Sequence, residues 1–519
     1  MTKGHAKNMK KDVKFMGKKY FLLICLTLFI ISIAAVSASD IGQTDDDTDL
    51  IAVSNDNVLG DGVDSGTFNE LQEKINNASE GSTIELLNDY TYDDTFRADG
   101  IMINKSLTIE GNGFTIDGAN KARIFFINAT SDITLNNIVF TNGLYEQGGA
   151  ILFNQNVIEV SISNSVFTNN SALTNGSTGG AINFNQNASN ILFENTTFEN
   201  NYAGYGGSIA FDSNAGFIQF DGCSFRTNKE RENSIIGGGA LYFIKDAIFV
   251  FIENCEFDNL TANTGGAIHF EERFAISLIN NTNFTNNKAQ TKNTAYGGGA
   301  ISIEGDADFT VIQNSEFINN SASTHGGAIK LMGNTDTLLI YNAVFDGNYA
   351  PYAGTLCLKG ANNLFVTETE FTNNKGTDAD IVGGGAIYVI GNLTNSIFED
   401  TIFENNSART GGAIFVEGNL NTTQFLNNQF TNNSAFTNNT YYGGGAIAVE
   451  GNATNNIFNK TTFAFNTATT HGGAVKFMEN DESNTFIDCI FIDNYAPYGG
   501  SIAVSNKSKR LNLTSCIFE

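Results

Sequence analysis

The chain has 519 residues, with 55 acidic and 28 basic side chains, a net charge of −27, 53 glycines, two prolines and no tryptophan. Such an excess of negative charge argues against a nucleic-acid-binding protein, because phosphate backbones are bound by basic surfaces. No long stretch keeps a helical period of apolar residues, so the composition indicates a β-rich repeat array rather than three ordinary domains.

Residues 1–38 have the layout of a secretory signal peptide. Seven lysines lie within residues 1–20, an apolar run occupies 21–36, and 36–38 offer a small-residue cleavage site. Removal of this segment, with its seven lysines and one aspartate, would change the net charge from −27 to about −33. The alternative is an uncleaved membrane anchor, although the run is shorter than the roughly 20 residues that span a bilayer. We therefore predict a secreted, extracellular or cell-surface protein.

The segment 39–66 is acidic and nearly free of aromatic residues, which predicts a disordered spacer. Order is predicted to begin with a short capping helix over 67–80, because Thr67 and Glu70 form a capping-box pattern. The apolar face of this helix is Phe68, Leu71, Ile75 and Ala78. Lead-in coils follow over 81–140, and their alternating stretches predict strands near 106–111, 114–118, 122–127 and 132–140.

Two motifs alternate from residue 140 to residue 519. Gly-Gly-Ala-Ile or a close variant has its first residue at 148, 179, 206, 238, 265, 298, 326, 353, 384, 411, 444, 472 and 499. The second motif, usually Phe-x-x-Asn, begins at 140, 167, 198, 225, 257, 284, 317, 345, 371, 403, 430, 463, 491 and 518. The distance from a glycine to the next phenylalanine is 19 residues in all repeats but one, where it is 18, whereas the return distance varies between 8 and 14. All variation in length therefore lies in one turn.

Repeats of 27 to 33 residues without a helical period predict an all-β fold, a right-handed parallel β-helix like that of pectate lyases. The third and fifth residues after the first glycine are apolar and should point inward, while the fourth should point outward. Phenylalanine and the small residue two before it should form the opposite inward wall. The asparagine of Phe-x-x-Asn should stack into an amide ladder, and Gly-Gly should supply a positive φ. The rod would have roughly 15 coils and be about 70 Å long.

The array also contains a longer repeat. Coil lengths of 33, 28 and 27 residues from Gly265 begin again from Gly411, so five coils form a unit of 146 residues. The stretch ASTHGGAIKL at 322–331 returns as ATTHGGAVKF at 468–477, with a histidine before Gly-Gly and a lysine after it. Long turns recur in matching coils and are expected to protrude on one side. These long turns are 285–297 and 431–443.

The alternation of Gly-Gly-Ala-Ile with Phe-x-x-Asn is similar to the repeats of polymorphic outer-membrane proteins. From Thr67 onward, the TFNELQEKIN helix, the GIMINKSLTIEGNGFTIDG lead-in and the Asn-rich coils resemble the adhesin-like surface proteins of methanogenic archaea. This resemblance covers nearly all of the chain after the spacer. It implies a β-helical rod on the cell surface that binds a host or neighbouring cell, a glycan or a cell wall.

An enzyme is the competing interpretation, because lyases and hydrolases of polysaccharides also use this fold. The outward column at the fourth position contains no carboxylate, and its candidate contact residues are Tyr242, His269, Lys330, Tyr388, Phe415 and Lys476. Two positions further along, carboxylates recur at Glu271, Glu304, Glu417 and Glu450. The first two lie in successive coils, near the roughly 5 Å spacing of retaining glycosidases. Since the second two are a copy of the first, we predict solvated charges and no catalysis. Contact with a cation or a sugar is the alternative, so these four glutamates join the candidate surface-binding residues.

No cofactor or metal is predicted, and calcium is considered only for Asp378 and Asp380 in a long turn. His325 and His471 are interpreted as turn residues. Four cysteines share one column in adjacent coils, where buried thiols are preferred over disulfides. These four are Cys223, Cys255, Cys489 and Cys516.

Asn-x-Ser/Thr sequons lie beside many Phe-x-x-Asn motifs and predict a glycoprotein, since the chain is expected to be exported. Examples are Asn169, Asn319, Asn405 and Asn432. At the other end of the array, Phe518 is a regular member of its column although no asparagine follows it. This pattern predicts further coils that are missing, or association end to end through an open coil.

Overall fold

The computed structural model describes residues 66–519 except 174–175, 231–235, 292, 294–295, 377–381 and 506. These residues belong to one compact unit, 64–519. The predicted signal peptide, all of the predicted spacer but Gly66, and the candidate calcium ligands Asp378 and Asp380 lie outside the described residues. Gly66 itself pairs in the strand Gly66–Thr67, so the ordered fold begins one residue before the predicted boundary.

The chain forms the predicted right-handed parallel β-helix, with about 16 turns where the repeats predicted roughly 15. The coils visit ladders of parallel strands in a fixed order: the glycine sheet, the long sheet, the phenylalanine sheet and, in most coils, the short sheet. The glycine sheet follows the Gly-Gly-Ala motifs and consists of Ile101–Ile103, Phe125–Ile127, Ile151–Phe153, Ile182–Phe184, Ile209–Phe211, Leu241–Phe243, Ile268–Phe270, Ile301–Ile303, Ile329–Leu331, Leu356–Leu358, Ile387–Val389, Ile414–Val416, Ile447–Val449, Val475–Phe477 and Ile502–Val504.

The long sheet comes next in each coil. It consists of Ser82–Glu85, Leu107–Glu110, Ser131–Asn136, Val157–Ser163, Ala188–Glu194, Ala215–Asp221, Ala247–Glu253, Phe274–Ala275 with Leu278–Asn280, Ala307–Asp308 with Thr310–Gln313, Thr335–Tyr341, Ala361–Thr367, Leu393–Thr394 with Ile397–Glu399, Leu420–Asn421 with Gln424–Leu426, Ala453–Thr454 with Ile457–Asn459, Asp481–Ile487 and Arg510–Thr514. Where a strand is divided, the break contains a residue with positive φ.

The two remaining sheets close each coil. The phenylalanine sheet consists of Gly66–Thr67, Tyr90–Thr91, Thr115–Asp117, Val139–Thr141, Val166–Thr168, Thr197–Glu199, Ser224–Arg226, Glu256–Asp258, Asn283–Thr285, Glu316–Ile318, Val344–Asp346, Glu370–Thr372, Ile402–Glu404, Gln429–Thr431, Thr462–Ala464, Ile490–Ile492 and Ile517–Phe518. The short sheet has two parts, Leu144–Tyr145, Ser171–Ala172, Tyr202–Ala203, Lys229–Glu230, Thr261–Ala262, Lys288–Ala289 and Ser321–Ala322, then Lys375–Gly376, Ser407–Ala408, Ser434–Ala435 and Thr467–Ala468.

The helix of the described chain, Phe68–Asn77, packs at the N-terminal end of the stack. The predicted capping box is present, since Thr67 accepts from the Glu70 backbone N–H and the Glu70 carboxylate accepts from the Thr67 N–H. Phe68 and Ile75 are buried against the first coils, which confirms the predicted apolar face. Among the described residues, no helix is long and apolar enough to cross a membrane.

The lumen is filled by columns of similar side chains, because strands in register place equivalent residues of successive coils above one another. Fourteen phenylalanines from Phe140 to Phe518 stack ring on ring, with centroids 4.5 to 5.0 Å apart. The predicted column of small residues beside them is buried, for example Ser165 and Thr196. Cys223, Cys255 and Cys489 of this column are buried free thiols, whereas the thiol of Cys516 at its end is half-buried. Burial raises the pKa of Cys489 to about 12.

The predicted asparagine ladder is present. In Asn320, the backbone N–H and the side-chain amide both donate to Asn348 Oδ1, at 2.9 and 3.1 Å. Its Nδ2 also donates to the Phe284 carbonyl at 2.9 Å. The ladder satisfies buried turn groups that water cannot reach, and its amide-to-amide bonds run from one coil to the next coil along the chain.

Both glycines of the repeated motif are required, for two different reasons. The first has a left-handed backbone in most coils, with φ of 77° at Gly298, which glycine adopts without strain. The second lies against the following coil, because a Cβ on Gly299 would meet the Gly327 carbonyl oxygen at 1.9 Å. The predicted positive φ therefore explains the first glycine of the motif but not the second, which is required by the close approach of the next coil.

Candidate functional site

The side chains at the fourth position of the glycine sheet point away from the lumen, but they are not exposed. We call them the covered column, because the turns between the short sheet and the glycine sheet pack over them. Exposed fractions are 2% for Tyr242, 0% for His269, 1% for Lys330, 5% for Tyr388, 0% for Phe415 and 7% for Lys476. The prediction that these six side chains form a surface-binding column is therefore wrong. The sequence pattern gives the direction of a side chain but not what folds over it.

Two tyrosines of the covered column each bond to a glutamate of the next coil. That glutamate lies two positions after the covered-column residue of its own coil. Tyr242 donates its hydroxyl to Glu271. The same pair recurs 146 residues later, where Tyr388 donates to Glu417. Burial and the neighbouring carboxylate raise the pKa of both tyrosines, so both hydroxyls remain protonated donors. The carboxylates are therefore internal hydrogen-bond acceptors rather than freely solvated charges.

His269 lies at the centre of a buried hydroxyl–imidazole–carboxylate array. Its Nδ1 is 3.1 Å from Thr264 Oγ1 and its Nε2 is 3.3 Å from Glu304 Oε1. The imidazole and the carboxylate are in contact but do not form an aligned hydrogen bond. In the copied unit Phe415 replaces the histidine beside Glu450. Burial, followed by repulsion from Glu417, raises the pKa of Glu450. The array is thus present once among the described residues, while the tyrosine–glutamate pair is present twice.

The repeated THGGAIK and THGGAVK stretches fasten the long turns of the preceding coil. Lys330 Nζ donates to the Tyr296 carbonyl at 3.0 Å, and the Thr324 hydroxyl donates to the same oxygen. In the copy, Lys476 Nζ donates to the Thr440 carbonyl at 3.0 Å and to the Tyr442 carbonyl at 3.4 Å. Each long turn is therefore held down over the covered column, which explains why the stretch and its turn are duplicated together.

The two histidines of these stretches pack as flat rings. His325 stacks on Tyr352 with centroids 3.9 Å apart, and His471 stacks on Tyr498 at 4.7 Å. Burial lowers the pKa of His325 to about 3, so this imidazole is neutral at physiological pH. Their interpretation as turn residues agrees with this packing. No group of three His, Cys, Asp or Glu side chains that could hold a metal ion occurs among the described residues.

The buried lysines predict a pH dependence of stability. Burial lowers the pKa of Lys330 and of Lys476 to about 8, below the roughly 10.4 of an unfolded lysine. Between these values the unfolded chain keeps protons that the folded chain has lost, so each lysine makes unfolding costlier as pH rises, by up to about 1.4 kcal/mol per pH unit. Below pH 8 this contribution is constant, because both states hold the proton.

The measurement compares urea unfolding of the wild type with K330M/K476M from pH 7 to pH 10. The difference isolates the lysines, because burial raises the pKa of Cys255, Cys357 and Cys489, and these thiols change stability in the opposite direction in both proteins. We expect the stability of the wild type relative to the variant to increase above pH 8. The exposed pair K288M/K375M is the control and should leave the profile of the wild type unchanged. If the free energies of unfolding of the wild type and K330M/K476M changed in parallel with pH, the lowered pKa of the two lysines would be contradicted.

The sequons beside Phe-x-x-Asn occupy one exposed column. Asn169, Asn319, Asn405 and Asn432 are exposed and have φ between 55° and 58°. The asparagine that follows each of them is buried in the amide ladder. Glycosylation of this column stays a prediction, and the structure identifies it as a set of accessible acceptors on one corner of the rod.

One surface was missed in the sequence. On the outer face of the long sheet, Phe217 and Phe309 are 44% and 48% exposed, at equivalent positions of different coils. Phe249 and Ile276 occupy the coils between them. This surface could have been found by aligning the repeats. The four residues occupy the same position of their coils, and the other coils have mainly polar side chains at that position.

Comparison with known proteins bears on the fold. Residues 278–463 match a family model described as a right handed beta helix region. PfbA, a surface adhesin of Streptococcus pneumoniae, has a similar crystal structure, with 12% identity, a TM-score of 0.36, and coverage of 87% of this chain and 89% of that chain. A tailspike protein mutant of E. coli bacteriophage HK620, in complex with a pentasaccharide, has 12% identity, a TM-score of 0.31, and coverage of 86% and 74%. Among curated proteins, no sequence matches the chain.

Proposed function

We propose that the protein is a non-enzymatic, extracellular rod that binds the surface of a neighbouring or host cell, a glycan or a cell wall. The observation that carries this proposal is the closure of the covered column. An enzyme of this fold would present catalytic side chains outward from its stacked strands. In this chain, turns cover the side chains at those positions, and Glu271 and Glu417 accept hydrogen bonds from tyrosines.

The construction of the rod also suits binding at a distance. Strands in register, stacked phenylalanines and the amide ladder make each coil stiffen its neighbours. The residues that differ from one repeat of this chain to another lie mainly in turns and outward columns. A rigid scaffold can present such residues in a fixed arrangement. The acidic surface keeps such a rod soluble.

A hydrolase or lyase is the second candidate, and one feature favours it. Thr264, His269 and Glu304 have the order of groups that a nucleophilic enzyme uses. However, the side chains of Thr264 and His269 are 0% exposed, so a polysaccharide cannot reach the hydroxyl.

The test incubates the full chain with a panel of neutral and anionic polysaccharides, with and without calcium, and with intact cells and isolated walls. We expect retention on cells, walls or one class of glycan, with no new chain ends. Reproducible cleavage that H269F abolishes would overturn the proposal. The substitution is matched to the chain itself, because Phe415 occupies the equivalent position in the copied unit. Absence of retention on every surface would overturn it equally.

A further inference from the structure

The exposed phenylalanines of the long sheet belong to a larger apolar surface, here named the apolar strip. Its first row is Phe217, Phe249, Ile276 and Phe309, and its second row is Phe251, Leu278, Val311 and Leu339. The second row points away from the lumen, between inward residues such as Leu338 and Ile340. Leu278 is half-buried, whereas Phe251, Val311 and Leu339 are buried, so the accessible part of the strip is the first row together with Leu278. The first row crosses four successive coils and runs along the rod for about 14 Å.

The backbone of the first row is one that bulky residues avoid. Its φ values are 55° at Phe217, 59° at Phe249, 50° at Ile276 and 51° at Phe309. A left-handed backbone is unfavourable for large and β-branched side chains and is tolerated well by asparagine. Strained residues of this kind concentrate at binding sites.

The equivalent coils 146 residues later show that the fold does not require the side chains of the first row. The residues there are Asn363, Asn395, Thr422 and Asn455, with φ between 52° and 58°. In the second row, Leu278 and Leu339 correspond to Gln424 and Thr485, whereas Phe251 and Val311 correspond to Ile397 and Ile457. The backbone of the first row is therefore built from polar residues in one set of coils and from apolar residues in the other, at a cost in local strain.

The surroundings of the apolar strip are acidic. Asp221 and Glu253 lie in register at the ends of their strands on one side, and Asp306 and Asp336 lie at the other. Burial, opposed by a hydrogen bond from Asn280 and assisted by Asp221, raises the pKa of Glu253. The nearby cations are matched by other carboxylates, since Lys245 pairs with Glu272 at 2.6 Å and Arg273 with Asp308 at 3.7 Å. The four carboxylates of Asp221, Glu253, Asp306 and Asp336, here named the acidic frame, therefore leave an excess of negative charge around the apolar strip.

We propose that the apolar strip binds a cationic amphipathic segment of a partner protein. Apolar side chains of the segment would cover the strip, and its Lys or Arg residues would meet the acidic frame. An amphipathic helix presents apolar residues at i, i+4 and i+7 over about 10 Å, which fits the length of the strip. The proposal does not depend on the location or function of the rod.

Other occupants fit less well. A second copy would bring two acidic frames together on a chain of net charge −27, and an anionic lipid or glycan would be repelled in the same way. A sugar ring stacks on the face of an aromatic ring. Here Phe217 and Phe249 are stacked on each other, with centroids 4.5 Å apart and planes inclined by 17°, so their edges face outward.

The test measures fluorescence anisotropy of a labelled 14-residue helical peptide of leucine and lysine, with leucines on one face, titrated with the full chain at about 0.15 M salt. Two comparison peptides keep one property each, serine replacing leucine in the first and glutamate replacing lysine in the second. We expect saturable binding of the leucine–lysine peptide, and binding at least tenfold weaker for both comparison peptides.

Two variants locate the site. F217N/F249N/F309N introduces the residues found 146 positions later, and L278Q does the same at the half-buried Leu278 of the second row, so both should fold and both should weaken binding at least tenfold. F436N, which changes an exposed phenylalanine in a distant turn, is the control and should bind like the wild type. Circular dichroism verifies that each variant is folded.

The outcomes are distinct. Unchanged binding by F217N/F249N/F309N, or equal binding of the serine–lysine peptide, would overturn the proposal. Self-association of the wild type in sedimentation that this variant abolishes would assign the strip to a second copy and would overturn it as well. Retention on cells or glycans can fail or succeed independently of these results, so the proposed function is tested separately.

Discussion

Phe317→Ala is expected to lower the free energy of unfolding by about 3 to 5 kcal/mol, as truncation of fully buried phenylalanines does. Phe317 is 0% exposed and stacks between Phe284 at 4.7 Å and Phe345 at 4.8 Å. A ladder in register cannot close over the gap, because the backbones above and below are held apart at the strand spacing. Urea unfolding followed by circular dichroism measures the loss.

The control for this variant is Phe436→Ala, in the long turn 431–443, where the ring is 38% exposed. Truncation there removes less buried area and leaves no enclosed cavity, so it should cost markedly less than truncation of Phe317. Equal losses for the two variants would show that the phenylalanine column does not supply the stability assigned to it. Hydrogen exchange of the amides near Phe317 gives a local measurement, since a repeat stack need not unfold in one step.

Gly299→Ala is expected to cost more than about 4 kcal/mol, or to prevent the surrounding coils from forming. The new Cβ would lie 1.9 Å from the Gly327 carbonyl oxygen and 2.6 Å from the Ser321 nitrogen, both of them backbone atoms of the next coil. Neither atom can move without breaking strand pairing, so the clash is not relieved by a change of rotamer. Limited proteolysis and urea unfolding both report this loss.

Gly176→Ala is the matched control, because a Cβ at that position has no heavy atom within 4 Å. Its backbone φ is outside the left-handed range, so alanine adds no strain. We expect its unfolding midpoint to equal that of the wild type within error. A similar midpoint for Gly299→Ala would mean that the coils are more loosely stacked than described.

Much of the fold could be predicted from the sequence because register is a periodic property. A constant 19-residue segment fixes which residues lie above one another, so the phenylalanine stack, the column of small residues and the amide ladder follow from counting. The capping box of Thr67 and Glu70 is a local motif and was equally readable. All these features depend on spacing and side-chain chemistry alone.

The candidate site was less predictable because it depends on the path of the turns. Nothing in the spacing of Tyr242 or Lys330 indicates that a turn of another coil lies over it, since the covering contact is made by backbone carbonyls such as that of Tyr296. The apolar strip was missed for a related reason. A positive φ inside a strand shifts the alternation of side chains, so Phe217 and Phe249 do not follow the period of two that marks inward and outward positions.

The asparagine ladder gives a direction to the coils that carry it. Asn320 donates to Asn348, which donates to Asn374, so each of these coils offers amide hydrogens at one end and an amide oxygen at the other. A block of such coils therefore has complementary ends, and a block copied in frame meets at both junctions the contacts that it had before. Insertion of the 146-residue unit extends the molecule by about 24 Å without the evolution of a new interface. Rod length can thus change by recombination in steps of one coil, while the order of units remains head to tail.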